Sequence, residues 1–121
     1  MRVFVVEDDA GSRRFITWLL ALRTRHEVFG FATAEAALEE LPRLRPAVLL
    51  TDLGLPGRSG EDLVRAAAQL PEPPRVVLMS ADPRRLEEAR SLSHSRLAKP
   101  FSISELLLAF ERPLAQNPEE A

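Results

Sequence analysis

The alternation of short apolar runs with helical patterns constrains this chain more than any other feature. Five runs rich in Val, Leu and Phe have the length and composition of buried strands, and they span residues 2–6, 27–31, 47–51, 75–80 and 96–98. A segment with helical character follows each run. This order predicts an α/β fold of the doubly wound (βα)5 type, with one parallel five-stranded sheet covered by helices on both faces.

The first two predicted helices are amphipathic. Apolar residues recur at helical spacing in the first, at positions 15, 16, 19, 20 and 22, and Trp18 is assigned to the packing of this helix. The second runs through "AEAALEEL", and Pro42 is expected to interrupt it because proline lacks the amide hydrogen that a helix needs.

Capping residues mark the fourth and fifth helices. The third helix follows Ser59 and Gly60, and the fourth has Asp82 as its N-cap with Pro83 at the first helical position. The fifth has the Ser-x-x-Glu capping box at Ser102 and Glu105. Its predicted apolar stripe comprises positions 103, 106, 107 and 110, and the proline at position 113 is expected to end it.

The size and charge of the chain narrow the function classes. With 121 residues, of which 45% are hydrophobic, the chain can bury one core and forms one domain. A net charge of −2 provides no positive electrostatic potential to attract a phosphate backbone, so direct nucleic-acid binding is not expected. No apolar run approaches the length of a membrane span and no signal-peptide pattern precedes the first strand, so we expect a cytoplasmic protein with no membrane contact.

Polar residues stand where the predicted strands end. In open parallel sheets, ligands bind beyond the carboxyl ends of the strands, so these residues are expected to share one site. They are Glu7, Asp8 and Asp9 after the first strand, Asp52 after the third, Ser80 at the end of the fourth and Lys99 after the fifth. Each alone is typical of a helix cap or a solvated surface, whereas their common placement points to function.

The chemistry of this set favours a divalent cation and a phosphoryl group. Clustered carboxylates repel one another unless a cation lies among them, and oxygen ligands without cysteine favour Mg²⁺. Magnesium would then bridge a carboxylate and a phosphoryl oxygen. The chain contains fifteen Arg but one Lys, Lys99. A compact ammonium fits beside a metal and a phosphoryl group where the wide guanidinium fork would not.

Four motifs resemble the CheY-like receiver domain of response regulators in bacterial two-component signalling. They are "VFVVEDD", "LLTDLGLPGRSGEDL", "VVLMSA" and "LAKPF", and the match places a receiver domain at residues 1–112 followed by a polar tail at residues 113–121. The resemblance implies a flavodoxin-like sheet with strand order 2-1-3-4-5.

The resemblance also implies a role for each site residue. Asp52 would accept the phosphoryl group from a phosphohistidine. Asp8 and Asp52 would bind Mg²⁺ directly, Glu7 would bind it mainly through water, and the backbone carbonyl of Gly54 would complete the protein ligands. Two further residues, Ser80 and Lys99, would contact the phosphoryl oxygens, and the bond between Lys99 and Pro100 would be cis.

The implied partners follow from this chemistry. A histidine kinase or phosphotransfer protein would donate the phosphoryl group, and an output protein or downstream domain would read the phosphorylated state. The resemblance also allows a phosphorylation-dependent homodimer. The chain would catalyse only its own phosphorylation and dephosphorylation, and would not be an enzyme acting on a separate substrate.

Two positions depart from the family pattern. Gly54 stands two residues after the acceptor, where relatives carry larger side chains that tune the phosphoryl lifetime. Arg96 occupies the position of the aromatic switch residue that works with the hydroxyl of Ser80. Because burying an unpaired guanidinium is costly, we predict that Arg96 stays outward in both states. The two histidines, His26 and His94, are assigned to ordinary surface.

Two other functions share part of this pattern. A phosphohydrolase of the haloacid dehalogenase type would carry Asp-x-Asp, whereas this chain has "DLG" at residues 52–54. An unphosphorylated interaction scaffold would lack one of the key residues, and none is missing. Turnover of a phosphomonoester would favour the hydrolase, and partner binding that is unaffected by Asp52→Asn would favour the scaffold.

Overall fold

Five parallel strands form a single sheet in the order β2-β1-β3-β4-β5 in the computed structural model, which describes residues 1–111. The strands are β1 (Arg2–Val6), β2 (Glu27–Phe31), β3 (Val48–Asp52), β4 (Arg75–Ser80) and β5 (Ser95–Ala98). The predicted fold class and strand order are confirmed. Strand β3 runs one residue later than its apolar pattern suggested, so Asp52 is its last residue.

Five α-helices connect and cover the strands. They are α1 (Ala10–Arg23), α2 (Ala34–Leu44), α3 (Gly60–Ala67), α4 (Pro83–Glu88) and α5 (Ile103–Glu111), with a short 3-10 turn at Arg90–Leu92. None of the helices within residues 1–111 has the length and apolar character needed to cross a membrane. The proline predicted to end α5 and the predicted tail at residues 113–121 lie outside the described residues.

The predicted caps are present. Asp82 accepts hydrogen bonds from the backbone N–H groups of Arg84 and Arg85 at the start of α4. At α5, the Ser102 hydroxyl accepts from the Glu105 N–H at 3.0 Å, while the Glu105 carboxylate accepts from the Ser102 N–H at 2.9 Å. These bonds satisfy donors that a helix start leaves unpaired, so the helix starts are fixed by local sequence.

The sheet separates two hydrophobic cores. Alternate residues of each strand point to opposite faces, so Phe4 and Leu49 contribute to one core and Val5 and Leu50 to the other. Helices α2, α3 and α4 cover the first core, and α1 and α5 cover the second. The central strands β1, β3 and β4 are therefore buried on both faces, which explains their nearly continuous apolar sequences.

The predicted break at Pro42 is wrong. Pro42 lies inside α2, which continues to Leu44. Proline removes one helical hydrogen bond there, but the buried side chains of Leu41 and Leu44 hold the last turn against the core. The helix ends at Arg45, whose backbone adopts a left-handed conformation and whose N–H donates to the Leu41 carbonyl.

The assignment of several apolar side chains to helix packing is also wrong. Trp18 is 59% exposed, and Phe15 and Leu22 of the same helix are exposed with it. Helix α1 carries two adjacent apolar stripes, and only the stripe of Ile16, Leu19 and Leu20 faces the sheet. In α5, Leu106 and Phe110 are buried, but Ile103 in the first turn is exposed.

Candidate phosphoacceptor site

Three side chains from separate strands meet at the carboxyl edge of the sheet. Glu7 follows β1, Asp52 ends β3 and Lys99 follows β5. The Lys99 ammonium donates to Glu7 Oε1 at 2.6 Å and also to Asp52 Oδ2. The lone lysine thus joins residues that are 92 and 47 positions away in the sequence. The peptide bond between Lys99 and Pro100 is cis, as predicted.

Burial makes this an electrostatically demanding arrangement. Glu7 is 1% exposed and Asp52 is 7% exposed. Burial raises the pKa of Glu7, and its hydrogen bond with Lys99 only partly opposes that effect. For Lys99, burial lowers the pKa, but the hydrogen bonds to Asp52 and Glu7 outweigh burial and raise it above the usual value. The site therefore holds its ammonium charged and keeps two carboxylates close together.

Backbone donors orient the two carboxylates. The Gly54 N–H donates to Asp52 Oδ1 at 2.8 Å, and the Asp9 N–H donates to Glu7 Oε2 at 3.2 Å. The Asp9 side chain accepts a hydrogen bond from the Ser12 N–H at 2.8 Å, and this bond lowers its pKa. Asp9 is therefore the N-cap of α1 rather than a member of the acidic cluster.

The acidic cluster has the composition of a metal site. Glu7, Asp8 and Asp52 each offer one carboxylate oxygen, and these oxygens lie within 4.8 Å of one another. Two of the three residues are buried, while Asp8 is exposed at the mouth of the site. An all-oxygen set of this kind fits a hard divalent cation.

The two remaining predicted residues occupy neighbouring positions without joining this cluster directly. Ser80 is buried at the end of β4, and its hydroxyl oxygen accepts from the Asp82 N–H at 3.0 Å. The hydroxyl hydrogen can still be donated. Arg96 is exposed on β5, between the buried residues Ser95 and Leu97. That Arg96 also stays exposed when Asp52 is phosphorylated remains a prediction.

A cavity of about 370 Å³ opens beside Lys99. Its wall is formed by α1, by the loop between β5 and α5, and by residues that follow β1 and β4. These residues are Glu7, Ser12, Phe15, Ile16, Ala81, Lys99, Pro100 and Phe101. Sequence reasoning missed this cavity because Phe15 was assigned to helix packing. The exposure of Phe15 follows from the second apolar stripe of α1.

Sequence reasoning also missed two features next to Asp52. Gly60 packs so closely on β3 that a Cβ atom there would meet the Asp52 carbonyl oxygen inside van der Waals contact. Arg85 of α4 forms a two-pronged ion pair with Glu61 of α3, at 3.0 Å for both hydrogen bonds. The glycine at position 60 is a sequence signal for the close approach to β3. No local pattern indicates the ion pair between Arg85 and Glu61.

The two histidines differ in their surroundings. His94 is exposed as a residue, yet its Nδ1 accepts a hydrogen bond from the Val76 N–H at 2.9 Å. His26 is partly buried and its ring packs against Phe110 with centroids 5.6 Å apart. Both are remote in sequence from the acidic cluster, and neither belongs to the acidic metal cluster found among residues 1–111.

A family model for the response regulator receiver domain matches residues 3–111. The chain belongs to this family. The match includes all the strand ends described above, so the acidic residues, Ser80 and Lys99 lie in a receiver domain. Such domains are the phosphoacceptor components of two-component signalling, and the predicted family is confirmed.

The chain spans different shares of the relatives it matches. The chain is 26% identical to sporulation initiation phosphotransferase F of Bacillus subtilis over 121 residues, which covers 96% of this chain and 97% of that protein. It is 33% identical to the Escherichia coli regulator KdpE over 86% of this chain, but it spans only 47% of KdpE. A Myxococcus xanthus protein-glutamate methylesterase is 39% identical over 67% of this chain, which spans 24% of that enzyme.

Solved structures have the same fold. A CheY-like receiver domain from Methylobacillus flagellatus superposes with a TM-score of 0.79 at 26% identity, covering 88% of this chain and 92% of that one. The chemotaxis response regulator CheY4 of Vibrio cholerae superposes with a TM-score of 0.83 at 22% identity, covering 92% of this chain and 96% of that one.

Proposed function

We propose that this receiver domain accepts a phosphoryl group on Asp52 from the phosphohistidine of a histidine kinase or phosphotransfer protein. The observation that carries the proposal is the contact of Lys99 with both Glu7 and Asp52 at the carboxyl edge of the sheet. This arrangement provides a buried carboxylate as nucleophile, a fixed positive charge beside it and an acidic cluster for a metal.

The transfer is an in-line displacement at phosphorus. A carboxylate oxygen of Asp52 attacks, an O–P bond forms, and the N–P bond of the donor phosphohistidine breaks with its electron pair returning to the imidazole. The Gly54 N–H holds Asp52 Oδ1, which fixes the orientation of the attacking group. Lys99 stabilises the charge on the phosphoryl oxygens, and the Ser80 hydroxyl donates to one of them.

Glu7, Asp8 and Asp52 would hold Mg²⁺, with the Gly54 carbonyl as the remaining protein ligand. The fit rests on three carboxylate oxygens within 4.8 Å of one another. When bound, Mg²⁺ offsets the negative charge that attack on a phosphoryl group brings together. Burial raises the pKa of Glu7, and the hydrogen bond from Lys99 opposes this effect by favouring the ionised carboxylate that the cation requires.

The cavity beside Lys99 borders the acidic cluster at Glu7, and Asp52 is not among its lining residues. Its apolar wall includes Phe15 and Phe101, and its volume of about 370 Å³ is sufficient for an imidazole ring with its phosphoryl group. A planar imidazole packs favourably on aromatic side chains. A donor imidazole in this cavity would lie beside Glu7 and Lys99.

The output would be a change in a protein-interaction surface. Ser80 lies at the start of the loop that leads into α4, and its hydroxyl already contacts that loop through the Asp82 N–H. Movement of the hydroxyl toward a phosphoryl group would break that contact and shift α4. Arg96 would remain exposed on β5 and contribute charge to the surface formed by α4, β5 and α5.

A labelling experiment tests the assignment of Asp52. Incubation with acetyl phosphate and Mg²⁺ is expected to add one phosphoryl group, detected by intact-mass analysis, and EDTA is expected to prevent it. Asp52→Asn should remove the label, whereas Asp62→Asn, an exposed carboxylate on α3, should keep it. Labelling of Asp52→Asn at the wild-type level would refute the assignment.

A further inference from the structure

The guanidinium of Arg85 is held beside the acceptor site by a carboxylate on another helix. Its Nε and Nη2 atoms donate to Glu61 at 3.0 Å each. Glu61 is in the first turn of α3, and Arg85 is in α4. The two-pronged geometry fixes the plane of the guanidinium, which leaves Nη1 as the nitrogen outside this ion pair.

Gly54 borders both that nitrogen and the Asp52 carboxylate. A Cβ atom built on Gly54 would be 3.9 Å from Arg85 Nη1 and 3.6 Å from Asp52 Oδ1. Both atoms are thus within 4 Å of one point that no side chain occupies. A larger residue at position 54 would place its side chain in the path between the guanidinium and the acceptor carboxylate.

Charge also links Arg85 to the acceptor. The pKa of Arg85 is raised first by its hydrogen bond to Glu61, and the negative charges of Asp52 and Asp82 act in the same direction. Phosphorylation of Asp52 would increase the negative charge at this point and add acceptor oxygens that extend beyond the carboxylate. A guanidinium is well suited to such oxygens because its N–H groups match their geometry.

We propose that Arg85 is a second phosphoryl-binding residue, which reaches the phosphoryl group on Asp52 across the side-chain-free position of Gly54. The proposal rests on phosphorylation of Asp52. Lys99 would contact the phosphoryl group from the β5 side, and Arg85 would contact it from the α4 side. Glu61 competes for the same guanidinium and holds it in place until the phosphoryl group is present.

This arrangement gives α4 a direct connection with the phosphorylated site. When the N–H groups of Arg85 donate to the phosphoryl oxygens instead of Glu61, the ion pair between α3 and α4 weakens. Helix α4 is then linked to Asp52. The guanidinium would also cover one side of the phosphoryl group. We therefore expect Arg85 to slow the hydrolysis of the aspartyl phosphate as well as strengthen its binding.

Beryllofluoride with Mg²⁺ provides a direct binding test, because it stands in for the phosphoryl group on Asp52. Bound beryllofluoride is measured by ¹⁹F NMR across a titration. Arg85→Gln is expected to weaken its binding about 10-fold, the lower end for a hydrogen bond to a charged group because the site is partly exposed. Arg85→Lys, which keeps the charge but loses the fork, should recover part of the loss.

Matched variants separate binding from a structural role. Arg84→Gln removes an exposed neighbour on the same helix and should leave the affinity unchanged. Glu61→Gln releases the guanidinium and should leave the affinity equal to or higher than that of wild type. If Arg85 acted only by tying α3 to α4, Glu61→Gln and Arg85→Gln would weaken binding equally, and that result would overturn the proposal.

A double-mutant cycle tests the path across Gly54. Gly54→Leu should weaken beryllofluoride binding in the wild-type background and have a smaller effect when Arg85→Gln is already present. Equal losses in the two backgrounds, or Arg85→Gln binding within twofold of wild type, would refute the role of Arg85. Absence of bound beryllofluoride in the wild-type protein would instead refute the phosphoacceptor assignment.

Discussion

Replacement of Gly60 by alanine tests the close approach between α3 and the strand that carries Asp52. A Cβ atom at position 60 would overlap the Asp52 carbonyl oxygen and lie 3.0 Å from Leu53 Cα. Both neighbours are backbone atoms of a segment buried at the centre of the sheet, so neither can move without displacing the end of β3. Overpacking of this kind costs about 1–3 kcal/mol.

A stabilising contribution of the added methyl group partly offsets this cost. Replacing glycine by alanine in a helix restricts the unfolded chain and contributes roughly 0.5–1 kcal/mol of stability. Because the overlapped atoms are backbone, the cost lies in the upper part of that range, about 2–3 kcal/mol. After the offset, we expect Gly60→Ala to lower the free energy of unfolding by about 1–2.5 kcal/mol, which corresponds to a fall in Tm of roughly 4–10 °C at about 4 °C per kcal/mol. Phosphorylation of Asp52 should also slow, because the overlap displaces the backbone of the acceptor.

Urea unfolding and calorimetry measure this effect, and Gly11→Ala is the matched control. Gly11 lies in the first turn of α1, where an added Cβ would meet only Asp9 Oδ2 at 3.5 Å, an ordinary contact. Gly11→Ala should therefore be neutral or stabilising. A Gly60→Ala protein as stable as wild type, with Asp52 labelled at the normal rate, would refute the packing argument.

Three further predictions concern charge at the site and at the β5 edge. Lys99→Arg should keep the fold but slow phosphorylation by acetyl phosphate about 10-fold, because the planar guanidinium is too wide for the site. Labelling at the wild-type rate would contradict this prediction. His94 is exposed as a residue, but partial desolvation of its imidazole lowers its pKa from the usual 6.5. The unfolded chain therefore binds a proton first, and stability should fall as the pH drops below about 6.5. Urea unfolding at several pH values should show a weaker fall in His94→Gln, and an unchanged fall would count against desolvation of His94 as its origin. In a crystal structure with beryllofluoride and Mg²⁺, Arg96 should remain exposed, and its burial behind Ser80 would disprove the outward assignment.

The residues of the candidate site were predictable because they follow the strands. Each of Glu7, Asp52, Ser80 and Lys99 lies at or just after the end of an apolar run, and parallel strands bring such positions to one edge. The strand order brings β1 and β3 together and places β5 near enough for Lys99 to reach both carboxylates. The contacts themselves required the folded chain.

Local sequence also determined the helix starts. The caps at Ser59, Asp82 and Ser102 use hydrogen bonds between residues two or three positions apart, so the signal and its partner occur in the same short segment. The alternation of strands and helices follows from the same kind of local information. For this reason the class of fold and the position of the site could be predicted from the sequence alone.

Tertiary structure decided which side of each helix was buried and which distant residues met. Helix α1 has two apolar stripes, and only its placement on the sheet exposed Trp18. Helix α2 continues through Pro42 because its last turn packs on a core that no local pattern describes. The approach of Arg85 to Gly54 depends on an ion pair with a residue 24 positions away. Such contacts result from packing between elements, and short-range periodicity carries no information about them.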